Sequence, residues 1–529
     1  MGKVIAVGID GAPWELVDRF SQNGSIPNIA ELVQTGVSAD LRSTIPPVTS
    51  PAWKCYSTGK NPGKLGAFWW TKVNFAKRRL TFTSAVDFKS RDYWDYISDA
   101  GEFCVQINMP MTYPPPTEFN GIFVSGVPAL ENDDYTYPKE LKEELIRKHD
   151  WRITHESEYE VNPDKFIASV SQLIDKRFDL AEEYIERAGF MHLTIFFIDD
   201  VQHFTWAQMK SGRGKHADAI ERLWSQIDGR IGRLRKKAGP DHHMVIFSDH
   251  GFTDLKGALY INEWLGPELI KKKPVVKMGK RSTTEKALTV ADRAHLTPVL
   301  RRMVPAGRRK RFQESRRSEE LDRREFFVWD KTKVYGSSEG PLYINRGLVP
   351  DEEEYDELRR RLVNEIEALV HPDTGEPAIE KVYTKEEAYH GPYMEGAPDL
   401  IVLPSLGYEI AANVSDEGRV WATPETFHNQ WTGIHRMEGI LIINGPEVKG
   451  GVRLEGADIY DVAPTILALK DIPIPDDMDG RVLVEAMVDP SRYEDVERVA
   501  AQVGQKVEHK FTEEEEAALQ DRLRSLGYM

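Results

Sequence analysis

The run Val4-Ile5-Ala6-Val7-Gly8-Ile9 contains no charged side chain and stops abruptly at Asp10. The same arrangement returns at Leu193–Ile198, which meets Asp199, and at Met244–Phe247, which meets Ser248-Asp249-His250. Phe123–Val127, Leu400–Leu403 and Ile440–Ile443 are further apolar runs of strand length. A strand with one wet face alternates apolar and polar residues. A continuous apolar run needs apolar cover on both faces, as in a parallel sheet sandwiched by helices. Segments with helical spacing lie between the runs, at Phe166–Ala188, Ala217–Leu234 and Tyr355–Val370. The chain is therefore expected to be α/β, with a mostly parallel central sheet covered by helices on both faces. Such sheets bind ligands beyond the carboxyl ends of their strands, which is where these aspartates stand.

At 529 residues the chain is long enough for one large domain with insertions or for two domains. Residues 1–265 are expected to form the first part of a catalytic core and 396–485 its second part. Residues 266–395 would form an insertion or cap, and 486–529 a helical tail. Within the insertion, residues 271–324 are strongly basic (Arg308-Arg309-Lys310-Arg311, Arg316-Arg317, Arg323-Arg324) and lack long apolar runs. They read as a solvated helical segment, or as a basic cap that steers anionic substrates. Thr512–Gly527 reads as one amphipathic helix, acidic early and with Arg late.

The formal charge of −16 argues against a general nucleic-acid binder, whose phosphate partner would be repelled. It does not argue against a small phosphorylated substrate at a site whose bound cations reverse the local sign. Two cysteines, Cys55 and Cys104, provide no disulfide framework, which fits a reducing compartment. The first apolar run is short and has no small-residue cleavage site. No stretch approaches the roughly 20 apolar residues of a membrane span. The expected location is the cytoplasm, away from membranes.

The candidate site residues follow from these strand ends. Asp10 is a ligand or a helix cap. Thr49 lies in Pro47-Val48-Thr49-Ser50-Pro51, ahead of a helix that Ser57-Thr58-Gly59 ends. Its hydroxyl would sit at a helix N-terminus, where backbone N–H groups favour an anion, with Ser50 as the cap. Asp199 and His203 are four apart, so a helical turn starting after the strand puts both on one face, able to chelate one ion. Asp200 would point elsewhere, to orient a ligand or cap the helix. Asp249 and His250 can reach one metal if the strand breaks into a turn at Gly251. His242 and His243 would lie at the surface start of that strand. His435 precedes the Ile440–Ile443 run, and its neighbour His428 reads as a surface or substrate-adjacent residue. Three Asp, three His and one hydroxyl are about what two divalent ions need while leaving positions open for a phosphate.

Taken in this order, the motifs resemble the type I phosphodiesterase/nucleotide pyrophosphatase family of the alkaline phosphatase superfamily. The resemblance runs from Lys3 to about Leu483. It rests on Thr49-Ser50-Pro51-Ala52-Trp53 with Ser57-Thr58-Gly59-Lys60-Asn61-Pro62-Gly63, on Ser248-Asp249-His250-Gly251, and on Gly433-Ile434-His435-Arg436. Gly445-Pro446, Ala457-Asp458-Ile459-Tyr460-Asp461-Val462-Ala463-Pro464-Thr465 and Met478-Asp479-Gly480 extend it. It implies an alkaline-phosphatase-like fold and two divalent ions, zinc by family habit with manganese as the alternative. Asp10, Asp249, His250 and Thr49 would hold one ion, and Asp199, His203 and His435 the other. Thr49 would be the nucleophile, acting on phosphodiester or pyrophosphate bonds of a small phosphorylated substrate such as a nucleotide, through a phospho-threonine intermediate. The chain departs from the family at Leu65-Gly66, where members often carry His-Gly. It departs again at Phe68-Trp69-Trp70, which replaces a phosphate-binding Asn, so no substrate-binding residue is assigned. A phosphomonoesterase or phosphomutase would use the same site. A sulfatase would need an Arg after Cys55 in a C/S-x-P/A-x-R motif, and none is there. A catalytically silent scaffold would have lost ligands.

Overall fold

The computed structural model describes residues 2–76, 79–270, 329–413, 418–427 and 430–502. The basic segment 271–324, His428 and the C-terminal segment Thr512–Gly527 lie outside the described residues.

The large central sheet places its strands in the order Val452–Arg453, Val37–Arg42, Glu438–Asn444, His242–Phe247, Lys3–Ile9, Phe190–Ile195, Cys104–Ile107, Gly121–Val124 and Thr136–Tyr137. Lys3–Ile9 is central and pairs in parallel with Phe190–Ile195 on one side and His242–Phe247 on the other. These three strands are buried almost throughout, as their unbroken apolar sequence requires. Two strands run against the rest, Glu438–Asn444 and Thr136–Tyr137.

Helices flank the sheet in two groups. Pro27–Thr35, Pro163–Tyr184 and Ala219–Ala238 pack together, and Thr49–Thr58, Tyr93–Asp99 and Val462–Leu469 form the other group. Pro163–Tyr184 starts where Asn162 accepts a hydrogen bond from the Lys165 N–H at 3.0 Å, with Pro at its first position. It buries Phe166, Val170, Leu173, Ile174, Phe178 and Ala181, an i, i+4, i+7 stripe. The helices at Pro163–Tyr184, Ala219–Ala238 and Glu352–Glu367 stand where helical spacing predicts them. Among the described residues no helix is long and apolar enough to cross a membrane.

The six apolar runs do not all enter one parallel sheet. Ile440–Ile443 lies within the antiparallel Glu438–Asn444 strand. Leu400–Pro404 belongs to a separate four-stranded antiparallel sheet with Val334–Gly336, Pro341–Ile344 and Ile379–Thr384. That sheet and the helix Glu352–Glu367, which buries Tyr355, Leu358, Leu362 and Ile366, share a second apolar core. Asp351 starts the helix by accepting the Glu354 N–H at 2.9 Å. The run 193–198 is displaced as well: the strand ends at Ile195, and a helix, Ile198–Ser211, opens three residues later.

Candidate active site

All seven sequence-predicted residues converge beyond the carboxyl ends of the central strands. Asp10 follows Lys3–Ile9, and Asp249 with His250 follows the adjacent parallel strand His242–Phe247, so pairing alone brings these ends together. Trp53 Nε1 donates to Asp10 Oδ2 at 3.0 Å, and the Gly11 N–H donates to Asp249 Oδ1 at 3.2 Å. Gly8 leaves room for that arrangement, because a Cβ there would lie 2.3 Å from the Trp53 ring. His250 Nε2 lies 3.3 Å from Asp249 Oδ2 and 3.6 Å from Asp10 Oδ1.

Thr49 opens the helix Thr49–Thr58, which ends in a left-handed Gly59 whose N–H bonds the Cys55 carbonyl. Its Oγ1 is 3.2 Å from His250 Nε2. The helix starts two residues earlier than a Ser50 cap would require. Val48 occupies the cap position, and the buried Ser50 Oγ finds no hydrogen-bond partner among the described residues.

Asp199 and His203 stand one turn apart on Ile198–Ser211, with Asp199 Oδ2 3.0 Å from His203 Nε2. His203 Nδ1 is held by the Gly433 carbonyl at 2.8 Å, which leaves Nε2 facing the carboxylate. Trp431 stacks on the His203 ring at 3.9 Å. His435 arrives on a two-stranded ribbon, Gly433–Arg436 against Gly251–Asp254, in which Phe252 faces His435. The ribbon stacks the His435 and His250 rings at 3.8 Å and sets His435 Nε2 3.5 Å from Asp199 Oδ2.

Two Asp/His groups result, Asp10 with Asp249 and His250, and Asp199 with His250 and His435, each with ligand atoms close enough to hold a metal ion. His250 contributes to both. The charge balance also calls for a cation. Burial, then Asp249 and Asp199, push the Asp10 carboxyl well above its usual range, against the Trp53 hydrogen bond. Burial pushes Asp249 up to about 6, with His250 opposing and Asp199 adding. Burial acts on Asp199 too, but His203 and His435 override it and hold that carboxyl well below the ordinary value. Burial, then His250, push His435 down to about 3, which keeps its imidazole neutral. Asp10 Oδ1, Asp199 Oδ1 and Asp249 Oδ2 are buried and accept no hydrogen bond among the described residues. Buried acceptors without donors are costly, and divalent cations satisfy them. The donor set suits such a cation.

Asp200 points away from the cluster, as expected, with Oδ2 3.8 Å from His155 Nε2. The expectation for His243 is corrected. His243 is buried against Gly2 and Gly445 and does not lie at the surface. Phe68, Trp69 and Trp70 are buried side chains; Trp69 and Trp70 belong to the main core, while Phe68 packs with Tyr389. Three contributors were not read from the sequence, Trp53 as the partner of Asp10, Trp431, and Glu339. Glu339 Oε1 lies 3.5 Å from His435 Nδ1. Burial, then Glu409, Asp199 and Asp249, push its carboxyl well above its usual range. No local signal marks Trp431 or Glu339, since each meets its histidine across a long stretch of chain.

The sequence profile described as type I phosphodiesterase / nucleotide pyrophosphatase matches residues 4–433. No curated protein sequence matches the chain. Among solved structures, the chain is similar to an inactive form of murine ectonucleotide pyrophosphatase/phosphodiesterase 5 in complex with AMP, with a TM-score of 0.51 at 13% identity over 89% of this chain and 96% of that one. It is similar to phosphonoacetate hydrolase from Sinorhizobium meliloti 1021 in complex with phosphonoacetate, with a TM-score of 0.53 at 13% identity over 87% and 94% of the two chains. A mutant of the alkaline phosphatase PafA gives a TM-score of 0.56 at 12% identity over 92% and 98%. At such identities the likeness establishes the fold, which is alkaline-phosphatase-like as the motifs imply.

Proposed function

The chain belongs to the type I phosphodiesterase/nucleotide pyrophosphatase family, a group of phosphoester hydrolases in the alkaline phosphatase superfamily, and on that premise we propose that it cleaves phosphodiester or pyrophosphate bonds with Thr49 as nucleophile. The observation that carries this reading is the approach of Thr49 Oγ1 to His250, the residue common to both Asp/His groups. Asp10, Asp249, His250 and Thr49 would hold one divalent ion, and Asp199, His203 and His435 the other, with zinc the metal best matched to the donors. When bound, such ions supply Lewis acidity to phosphoryl oxygens and lower the pKa of a hydroxyl.

The chain's own groups account for the rest. Thr49 Oγ1 gives its proton to solvent and attacks phosphorus in line, forming a phospho-threonine as the bond to the leaving oxygen breaks. The leaving oxygen takes a proton from water. The N-terminus of Thr49–Thr58 favours, through its dipole, the anion that develops there. Trp53 fixes Asp10, and the Gly433 carbonyl fixes the His203 tautomer, so neither side chain must reorganise during the reaction. Water then attacks the phospho-threonine, releasing phosphate or a phosphomonoester and restoring the hydroxyl.

The test pairs bis-p-nitrophenyl phosphate with p-nitrophenyl phosphate on zinc-loaded protein, wild type and Thr49→Ala, with metal content measured alongside. The expected result is diester cleavage that falls on the order of 10³-fold or more in Thr49→Ala while bound metal persists. Full activity in Thr49→Ala removes it as nucleophile. A monoester preference moves the reading to a phosphatase or mutase on the same residues.

A further inference from the structure

Glu339 sits at the tip of the hairpin that joins Val334–Gly336 to Pro341–Ile344, outside the central sheet. The turn is closed by the Ser337 N–H to the Pro341 carbonyl at 2.8 Å. Its tip is pinned by the Glu339 N–H, which donates to the Ile410 carbonyl at 2.7 Å. Glu339 holds a left-handed backbone, φ +62, a conformation that costs a residue with a Cβ and that glycine adopts freely. The next residue, Gly340, cannot be replaced easily, because a Cβ there would lie 2.1 Å from the Val402 carbonyl oxygen. The chain thus spends two unfavourable features on one acid, a strained backbone and a buried carboxyl whose Oε2 has no hydrogen-bond partner among the described residues. Neither helps the hairpin fold.

What the strain achieves is an approach. His435 presents Nε2 to Asp199 and Nδ1 to Glu339, at 3.5 Å in each direction. An imidazole that binds a metal through one nitrogen works best when the other donates its proton to a carboxylate, which fixes tautomer and ring orientation. We propose that Glu339 is a positioning residue for His435, accepting its Nδ1–H so that Nε2 is held as a ligand. The hairpin unit thereby forms part of the metal centre. This rests on the reading that His435 holds one of the two ions.

The experiment measures zinc affinity and thermal stability for Glu339→Ala, Glu339→Gly, Glu339→Gln and His435→Ala. Glu339→Ala and Glu339→Gly should weaken one of the two sites by about 10–100-fold. Glu339→Gly should do so with an unchanged or higher Tm of the metal-free protein, because it removes the backbone strain and the buried carboxyl together. Glu339→Gln should stay within a few-fold of wild type, since its amide oxygen accepts the same proton. Wild-type affinity in Glu339→Ala overturns the proposal. So does a fall in Tm with equal weakening of both sites, which marks a structural role, and so does a Glu339→Gln loss as large as that of Glu339→Ala. If instead His435→Ala keeps both ions, the underlying assignment of His435 has failed.

Discussion

Asp10 and Asp249 stand at the ends of two neighbouring parallel strands in the middle of the sheet, fixed by the pairing of the core itself. Asp199 and His203 come from one turn of a helix, His435 from a ribbon outside the sheet, and their supports, Trp431 and Glu339, from a loop and a distant hairpin. The first half of the centre cannot move without disturbing the core. The second half is assembled from parts each anchored elsewhere. Disturbance near the first half should therefore appear as lost stability, and near the second as weaker metal binding at little cost to the fold.

Chelation should give the largest effect and tests what both halves share. A site saturated at a hundredfold excess over Kd contributes about 2.7 kcal/mol, so stripping the metal should lower Tm and abolish turnover. A scanning measurement with and without chelator decides it. An unchanged Tm would mean that the buried carboxylates tolerate one another without a cation. Next, Gly8→Ala should cost about 1–3 kcal/mol, because its Cβ must displace the Trp53 ring that holds Asp10. Denaturant unfolding reads that loss, and a neutral result would detach Asp10 from the core. The smallest effect belongs to Trp431→Leu. Loss of its stack on His203, worth about 0.5–1.5 kcal/mol, should show as zinc affinity weakened by up to about tenfold. If it destabilises the fold as much as Gly8→Ala does, the distinction between the halves is broken.

The same division explains what the sequence revealed. Asp10, Asp249 and His250 are legible because an apolar run that stops at a carboxylate is a local signal, and parallel pairing needs nothing further to unite them. Asp199 with His203 is legible from helical spacing. Glu339 is not, because an acid before a glycine marks a turn and says nothing about which distant histidine it will face. The apolar run at Leu400 is equally mute. Its composition says that it is buried, and only tertiary pairing assigns it to the hairpin's sheet. The Ser50 cap fails for a smaller reason, since the helix begins two residues earlier and turns that hydroxyl inward.

The reversed strand Glu438–Asn444 fills an interior place in the sheet, between Val37–Arg42 and His242–Phe247. During synthesis, Val37–Arg42 must therefore wait for a partner that emerges roughly 400 residues later, at chain growth of about 5–20 residues per second. Until then the nascent protein carries a gap in its sheet, with two unpaired edges open to other chains. The ribbon bearing His435 immediately precedes that strand, so the last of the seven site residues arrives with the piece that closes the gap. Completion of the fold and onset of activity should coincide, which keeps an unfinished chain from acting on phosphate esters.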